Sequence, residues 1–153
     1  MSQFVVTIAL ALLCGCNPDK PVAPTATVDD KPNTEIPASV RAINDYRAKH
    51  GLPALTYSKE LTAAAQKHVD DMVNRNFFSH TGSDGSRFSD RARAAGFSMA
   101  GGGEIIAQAS DPKEAVSDWS QSPGHNAQML TTQWKYVGAA VGKSRSCAVF
   151  GNK

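Results

Sequence analysis

Apolar residues recur at helical spacing in the first half of the chain. The strongest stripe lies in SKELTAAAQKHVDDMVNRNFF, where residues from Leu61 to Val73 follow the i, i+3, i+4, i+7 rhythm behind Ser58, a good N-cap residue. SVRAINDYRAKHG predicts an earlier helix that ends at Gly51, and GSRFSDRARAAGF predicts a shorter helix that ends at Gly96. Helices are therefore expected to build most of this half.

The second half mixes helices with short apolar runs. SDPKEAVSDWSQSPGH has Asp111 as N-cap, Pro112 at the first helical position and Glu114 to complete a capping box, and Pro123 with Gly124 is expected to stop this helix. GEIIAQA, after a flexible AGGG, predicts a buried strand, and HNAQML predicts a single helical turn. WKYVGAAVG and SCAVFG predict a C-terminal hairpin. This order of elements is typical of an α+β fold with layers of helices and antiparallel strands.

The N-terminus has a different pattern. MSQFVVTIALALLCGC contains an apolar run from Phe4 to Leu13, which has the length of a signal-peptide core and is shorter than the ~20 residues that span a bilayer. Its end, LCGC, resembles the bacterial lipobox, although no Lys or Arg precedes the run. Residues 1–15 are therefore predicted to be a lipoprotein signal peptide, with Cys16 as the site of lipid attachment. The alternative is an N-terminal core helix.

A proline-rich segment separates this leader from the folded domain. Residues 16–36 and the adjoining Pro37 hold most of the chain's 8 prolines and almost no large apolar residues. Such a segment cannot bury enough surface to order itself, so we expect an extended, lipid-anchored tether. The tether would hold the domain off a membrane. Asn17, directly after the acylated cysteine, favours the outer membrane by resemblance to lipoprotein sorting rules.

Composition and charge limit the class of protein. With 153 residues, 41% hydrophobic and 20% charged, the chain has the length of one globular domain with an N-terminal addition, so residues 37–153 are predicted to be the domain. The net charge of +2 is small and the basic residues are scattered, which argues against a nucleic-acid partner. Cys147 is expected to be a buried thiol without a disulfide, because an acylated Cys16 is not free to pair.

The candidate chemistry lies at the ends of predicted elements. His80 follows the second helix, Glu104 begins a strand, and His125 follows the Pro-Gly stop. Two imidazoles and a carboxylate suffice to bind a divalent metal such as zinc, with water as the fourth ligand, and they could equally form a proton-handling cluster. There is no HExxH motif, and spacing alone does not decide between the two. His50 and His68 are expected to have local packing or hydrogen-bonding roles.

Several of these segments occur together in one known family. FFSHTGSDG, then AAGF with GGGEIIA, then SPGHNAQML and WKYVGAAV, resemble the CAP superfamily of cysteine-rich secretory, antigen 5 and pathogenesis-related proteins in its compact bacterial form. The resemblance covers residues 37–151. It implies a three-layer α-β-α sandwich with a central, mainly antiparallel sheet and a surface cleft. It also matches His80, Glu104 and His125 to cleft residues that bind divalent metals in some members.

The sequence departs from that family at two cleft positions. Ser122 stands where members with a full set of cleft residues have a second glutamate, and Ile105 replaces the asparagine of the family's GEN. Asp118 is a secondary candidate for the missing carboxylate, although it is out of register. Both changes weaken the expected affinity for a metal. The alternative is that His80, Glu104 and His125 form a polar network that fixes the loops around the cleft.

The predicted function is binding rather than catalysis. Ser79 and Ser122 adjoin histidines in sequence, but adjacent residues rarely present their side chains to each other, so the site lacks a nucleophile. We expect an exported protein of the cell envelope, anchored at the outer membrane or cell surface or otherwise secreted, that binds a lipid, a cell-wall fragment or a protein. The alternative is a hydrolase in which water held by the histidines or a metal attacks a peptide or ester bond, with Glu104 as base.

Overall fold

Two layers of helices cover the two faces of a β-sheet in the computed structural model, which describes residues 36–153. One layer packs against the sheet through an apolar cluster around Trp119 and Ile105, and the other does so through a cluster around Leu61 and Ile106. The first layer contains α1, α4 and α5, and the second contains α2 and α3. Their bounds are α1 Ala38–Lys49, α2 Lys59–Asn74, α3 Phe88–Ala94, α4 Pro112–Gln121 and α5 Pro123–Leu130.

The sheet between the layers has four strands in the order β1-β3-β4-β2. Strand β1 pairs with β3 in parallel, whereas β3 with β4 and β2 with β4 are antiparallel. The predicted α+β sandwich with a mainly antiparallel central sheet is therefore confirmed. The strands are β1 Thr56–Tyr57, β2 Gly101–Ala107, β3 Tyr136–Val141 and β4 Ser146–Asn152.

Both faces of the sheet are buried, and this explains the nearly continuous apolar runs of the last two strands. Along β2, Ile105 faces the α1 and α4 layer while Ile106 faces the α2 and α3 layer, because successive side chains of a strand point to opposite faces. The predicted hairpin and the expected buried state of Cys147 are confirmed, and its thiol is free. Trp119 is 1% exposed and secures α4 to the core.

The predicted helix ends follow the local chemistry. Ser58 accepts a hydrogen bond from the backbone N–H of Leu61 at the start of α2. Gly51 and Gly96, with φ of +71° and +92°, follow α1 and α3 and take the left-handed conformation that a side chain would strain. At α4, the Asp111 carboxylate accepts from the N–H groups of the first turn, while the Glu114 carboxylate accepts from Ser110 just outside the predicted capping box.

The prediction for the segment after α4 was wrong. Pro123 and Gly124 do end α4, but they also begin α5, which has 8 residues rather than a single turn. Proline is well suited to a first helical position, because its fixed φ is helical and its missing N–H has no partner there. Proline also restricts the residue before it, and Ser122 accordingly adopts an extended conformation with ψ of 116°.

The strand assignments needed two further corrections. The glycines predicted to form a flexible approach to β2 belong to the strand itself, which starts at Gly101 and ends at Ala107. At two of them neighbours lie close: a Cβ would lie 2.5 Å from the carbonyl oxygen of Phe150 on Gly102 and 2.4 Å from the side-chain oxygen of Gln128 on Gly103. Strand β1 was not predicted, because its 2 residues are too few to show an alternating pattern.

A side chain completes the hydrogen bonding at the outer side of β1. The amide of Asn44, on α1, donates to the carbonyl of Leu55 at 3.0 Å and accepts from the N–H of the same residue at 2.9 Å. On the inner side, the N–H of Thr56 donates to the carbonyl of Lys135, directly before β3, and the N–H of Ser58 donates to the carbonyl of Val137 within β3. Leu55 is therefore held between a helix and the sheet.

The predictions for the N-terminus lie largely outside the described residues. The described residues do not include the predicted signal peptide, Cys16 or the tether up to residue 35. Within residues 36–153, no helix has both the length and the apolar character needed to cross a membrane.

Candidate functional site

The first part of the site is a contact between a loop histidine and an edge-strand carboxylate. Glu104 lies on β2, at one edge of the sheet, and faces the α2 and α3 layer. The Nδ1 atom of His80, in the loop between α2 and α3, lies 2.9 Å from its Oε1 atom. The structure therefore brings together two of the three residues that the sequence proposed for the cleft, across 24 positions of chain.

Arg91, on α3, binds the other oxygen of the same carboxylate. Its Nη2 atom lies 2.6 Å from Oε2 of Glu104, and both side chains are nearly inaccessible, with 2% and 1% of their surface exposed. The guanidinium also donates to the carbonyl oxygens of His80 and Ser86, at 3.2 Å and 2.7 Å. Arg91 thus links the carboxylate to two points of the loop that carries His80.

Glu104 is an ionised carboxylate. Burial raises its pKa, but the hydrogen bond from His80 and the charge and hydrogen bond of Arg91 outweigh burial, so the pKa lies below its usual range. An ionised carboxylate only accepts hydrogen bonds, and the Nδ1 atom of His80 must therefore carry the proton that it donates. In the neutral ring the Nε2 atom is then an acceptor. The His80 side chain is 56% exposed, and Nε2 has no hydrogen-bond partner among the described residues.

Behind this pair lies a second, fully buried histidine. His68 of α2 donates from Nε2 to the carbonyl oxygen of Ser79 at 2.8 Å, which fixes the residue next to His80. The predicted packing and hydrogen-bonding role of His68 is confirmed. Burial, and then the charge of Arg91, lower the pKa of His68, so its ring is neutral at neutral pH. Its Nδ1 and the Nε of Arg91 have no protein partner, and both residues line a cavity of about 230 Å³ with room for water.

His125, the third predicted residue, lies on α5 in the opposite helical layer. Burial, and then the electrostatic effect of His80, lower the pKa of His125. Helix α5 is fixed there by Tyr46, whose hydroxyl donates to Asn126 at 2.9 Å, and by Gln128, which accepts from the indole N–H of Trp134 at 3.0 Å. The edge of β2 is thus flanked by a histidine from each layer.

The arrangement does not form a ready coordination shell for the predicted zinc. Within residues 36–153, no group of three or more His, Cys, Asp or Glu side chains is placed to hold a metal ion. Both oxygens of Glu104 are already bonded, to His80 and to Arg91, and the thiol of Cys147 lies 3.5 Å from Oε2. A zinc ion at His80 and His125 therefore stays a prediction, and it would need donors other than Glu104.

The two secondary candidates have positions but no contact with this pair. Ser122 is the junction of α4 and α5, where its backbone carbonyl accepts from Asn126 while its side chain makes no capping bond. Asp118 is exposed on α4. In the described part of the chain, neither side chain forms a hydrogen bond or ion pair with His80 or Glu104.

Two depressions offer space near these residues. The smaller, of about 380 Å³, is lined by His80, Thr81, Arg87, Phe88 and Glu104, and we call it the His80 pocket. The larger, of about 500 Å³, lies between α1 and α4 and has apolar residues on its floor and charged residues of both signs at its rim. Of the two, only the first is lined by His80 and Glu104.

Arg91 was the residue that sequence reasoning missed. A signal was present, because Arg91 stands three positions after Phe88 and directly before Ala92, both of which pack toward the core. Residues three apart on a helix share a face, so an arginine at this position points inward and needs a buried acid. Glu104 was already a candidate for that acid.

A comparison with models of protein families shows the family of this chain. The model of the CAP, cysteine-rich secretory protein family, matches residues 40–150. This chain belongs to the CAP family. Among curated proteins, it is 31% identical over 134 residues to the uncharacterized protein YkwD of Bacillus subtilis, and 30% identical over 125 residues to the uncharacterized membrane protein YlbC of the same organism. These alignments cover 81% and 78% of this chain but only 52% and 36% of the relatives.

Solved structures of other proteins have the same fold. An extracellular SCP-domain protein of Bacillus anthracis is 30% identical, with a TM-score of 0.68 over 72% of this chain and 38% of its own. An outer surface protein of Borrelia burgdorferi, at 20% identity, has a TM-score of 0.67 over 74% of this chain and 89% of its own. At 20% identity, the similarity to the Borrelia burgdorferi protein shows a shared fold and nothing more.

Proposed function

We propose that this CAP protein is exported, anchored to the envelope by a lipid on Cys16, and binds a ligand at the His80 pocket. The support for export is the signal-peptide pattern of residues 1–15, together with the extracellular description of the Bacillus anthracis relative. The support for binding is the ring of His80, which lines the pocket, has no partner at Nε2 among residues 36–153, and is held at Nδ1 by Glu104, itself paired with Arg91.

The geometry of the pocket favours binding over catalysis. Ser79, the hydroxyl nearest to His80 in sequence, accepts a hydrogen bond from the backbone of Thr81, and its carbonyl oxygen is held by His68. Among the described residues, no serine or cysteine lines the His80 pocket beside the imidazole. The Cys147 thiol is fully buried, and burial raises its pKa well above the usual range, so it does not ionise to serve as one.

A hydrolase is the second candidate, and one observation favours it. A histidine whose Nδ1–H is held by a carboxylate has the orientation of a general base, with Nε2 toward the substrate. In this variant of the proposal the base is His80 rather than Glu104, because both oxygens of Glu104 are already bonded. Water activated by Nε2 would attack the ester or peptide carbonyl.

Replacing His80 with alanine is expected to weaken ligand binding at least tenfold while the free energy of unfolding changes by less than about 0.5 kcal/mol, because the ring is exposed. Binding of peptidoglycan fragments, lipid vesicles and purified surface proteins from the source envelope would be measured with the full chain. His50→Ala is the matched control, since this exposed histidine bonds only within α1. Equal binding by His80→Ala in all three arms contradicts the proposal. Turnover of ester or peptide substrates that is lost in His80→Ala would favour the hydrolase.

Replacing Cys16 with serine is expected to abolish incorporation of a palmitate analogue and to release the protein from the membrane fraction. Serine has no thiol to acylate, while the rest of the leader is unchanged. Metabolic labelling followed by gel fluorescence measures this directly. Cys14→Ser, two positions earlier in the same leader, is the control and should remain labelled. Unchanged labelling of Cys16→Ser would defeat the anchor.

A further inference from the structure

The charge of Glu104 is already compensated inside the protein. The guanidinium of Arg91 lies 2.6 Å from the carboxylate, and neither side chain is more than 2% exposed. At this separation and burial the two charges largely cancel as seen from the pocket. Since the remaining oxygen receives the Nδ1–H of His80, a cation entering the His80 pocket finds neither a free carboxylate oxygen nor an uncompensated negative charge.

The groups that do face the pocket favour an anion with a neighbouring hydroxyl. Arg87 is exposed, and its guanidinium has no ion-pair partner among residues 36–153. Asp90, three residues later, accepts from the backbone N–H of Arg87, and its carboxylate lies 3.6 Å from the guanidinium of Arg93. The arginine fork therefore remains available to a carboxylate, which it can bind through two parallel hydrogen bonds.

The other lining groups demand different partners. With the ring proton on Nδ1, where Glu104 accepts it, the Nε2 atom of His80 is an acceptor and calls for a hydroxyl. The Thr81 hydroxyl can either donate or accept. Phe88 is half-buried beside these polar groups, and its ring can pack against the apolar face of a sugar. One ligand class satisfies all of them: a sugar that carries both a carboxylate and free hydroxyls.

We propose that the His80 pocket binds an acidic sugar, with its carboxylate on Arg87 and a hydroxyl on Nε2 of His80. This inference rests on the proposed binding function and names its ligand class. The carboxylate of the sugar pairs with the positive charge of Arg87, and a hydroxyl of the sugar donates a hydrogen bond to Nε2 of His80. Glu104, paired with Arg91, keeps the ring in place. A neutral sugar would leave Arg87 unpaired, and a simple carboxylate would leave His80 unpaired.

The test is a titration of the isotope-labelled full chain in detergent with glucuronate, glucose and acetate, followed by NMR. Glucuronate is expected to shift the backbone amide resonances of residues 80, 81, 87 and 88, with a Kd on the order of 1 mM, typical of a small ligand held by a few contacts. Glucose and acetate should each bind at least fivefold more weakly. Arg87→Gln should weaken glucuronate at least tenfold, because a charge-assisted pair is lost.

Arg93→Gln is the matched control, because this arginine lies on the same helix, is exposed, and pairs with Asp90 outside the pocket. It should leave the Kd for glucuronate unchanged. Glucose binding as tightly as glucuronate, or an Arg87→Gln variant with unchanged affinity, overturns the acidic-sugar proposal. Zinc that binds in a 1:1 ratio and displaces glucuronate overturns it in favour of the metal site. If glucuronate fails but His80→Ala still weakens binding of an envelope component, only the ligand class is wrong and the proposed function stands.

Discussion

Replacing Arg91 with methionine is expected to lower the free energy of unfolding by about 3 to 5 kcal/mol, the cost of leaving a buried charge without its partner. The carboxylate of Glu104 is 1% exposed and cannot turn to solvent. Methionine has nearly the length of the arginine stem, so the loss is electrostatic rather than a cavity. Urea denaturation at pH 7 measures the effect, and Glu104→Gln on its own and combined with Arg91→Met completes a double-mutant cycle.

The pH dependence of the same variants has a defined sign. In the parent protein the pKa of Glu104 is lower in the folded state than in the unfolded chain, where it is about 4.3. The stability that this shift contributes is present above that value and is lost as the pH falls through the folded-state pKa. Without Arg91, burial is opposed less and the folded-state pKa of Glu104 rises. The deficit of Arg91→Met should therefore shrink between pH 7 and pH 4.

Two results would speak against this account of the ion pair. A cost below about 1 kcal/mol at pH 7 would mean that water replaces the guanidinium around Glu104, as happens at exposed pairs. A deficit that stays constant down to pH 4 would mean that the loss comes from packing. Either result would also remove the reason for treating the carboxylate as hidden from ligands.

Replacing Gly138 with alanine is expected to cost about 3 kcal/mol or to prevent folding. A Cβ at this position of β3 would lie 2.1 Å from the backbone nitrogen of Thr62 and 2.3 Å from the backbone carbon of Leu61, so it meets the first turn of α2 rather than a flexible side chain. Helix and strand would have to move apart, which is the costly form of overpacking. Thermal and urea unfolding measure the change.

Gly124→Ala is the matched control for Gly138→Ala. Its Cβ would meet nothing within 4 Å, and the residue lies in α5. Alanine should stabilise the protein there by about 0.5 to 1 kcal/mol, because it restricts the unfolded chain more than glycine does. If the two substitutions have similar effects, the close approach of β3 to α2 is not what fixes glycine at position 138.

The parts of the fold that could be predicted from sequence are those in which local chemistry acts alone. The apolar stripe behind Ser58, the cap at Asp111 and the left-handed glycine Gly96 each depend on residues within a few positions of one another, and α2, α4 and the end of α3 follow from them. Strand β1 and the glycine-rich start of β2 depend instead on partners far along the chain. Local pattern therefore described them as loops.

The candidate site also has residues that could be predicted from sequence and residues that could not. His80 and Glu104 were recognised from their place at element ends together with a family resemblance, and the structure brings them within 2.9 Å. Asp118 was proposed from its type and its closeness in sequence, yet it lies exposed on α4. Arg91 could not be recognised as part of the site without knowing that α3 packs beside β2. A buried ion pair joins side chains from two elements, so the residue pattern of either element alone does not reveal it.

The contact of Asn44 with Leu55 has a consequence for how copies of this protein meet. An edge strand normally offers unpaired N–H and carbonyl groups on which a second chain can add a strand, and this is a common start of aggregation. On the outer side of β1 the amide of Asn44 takes both backbone groups of Leu55, as a neighbouring strand would. At Leu55, directly before β1, a single side chain therefore closes the edge, which discourages edge-to-edge assembly between copies of this protein.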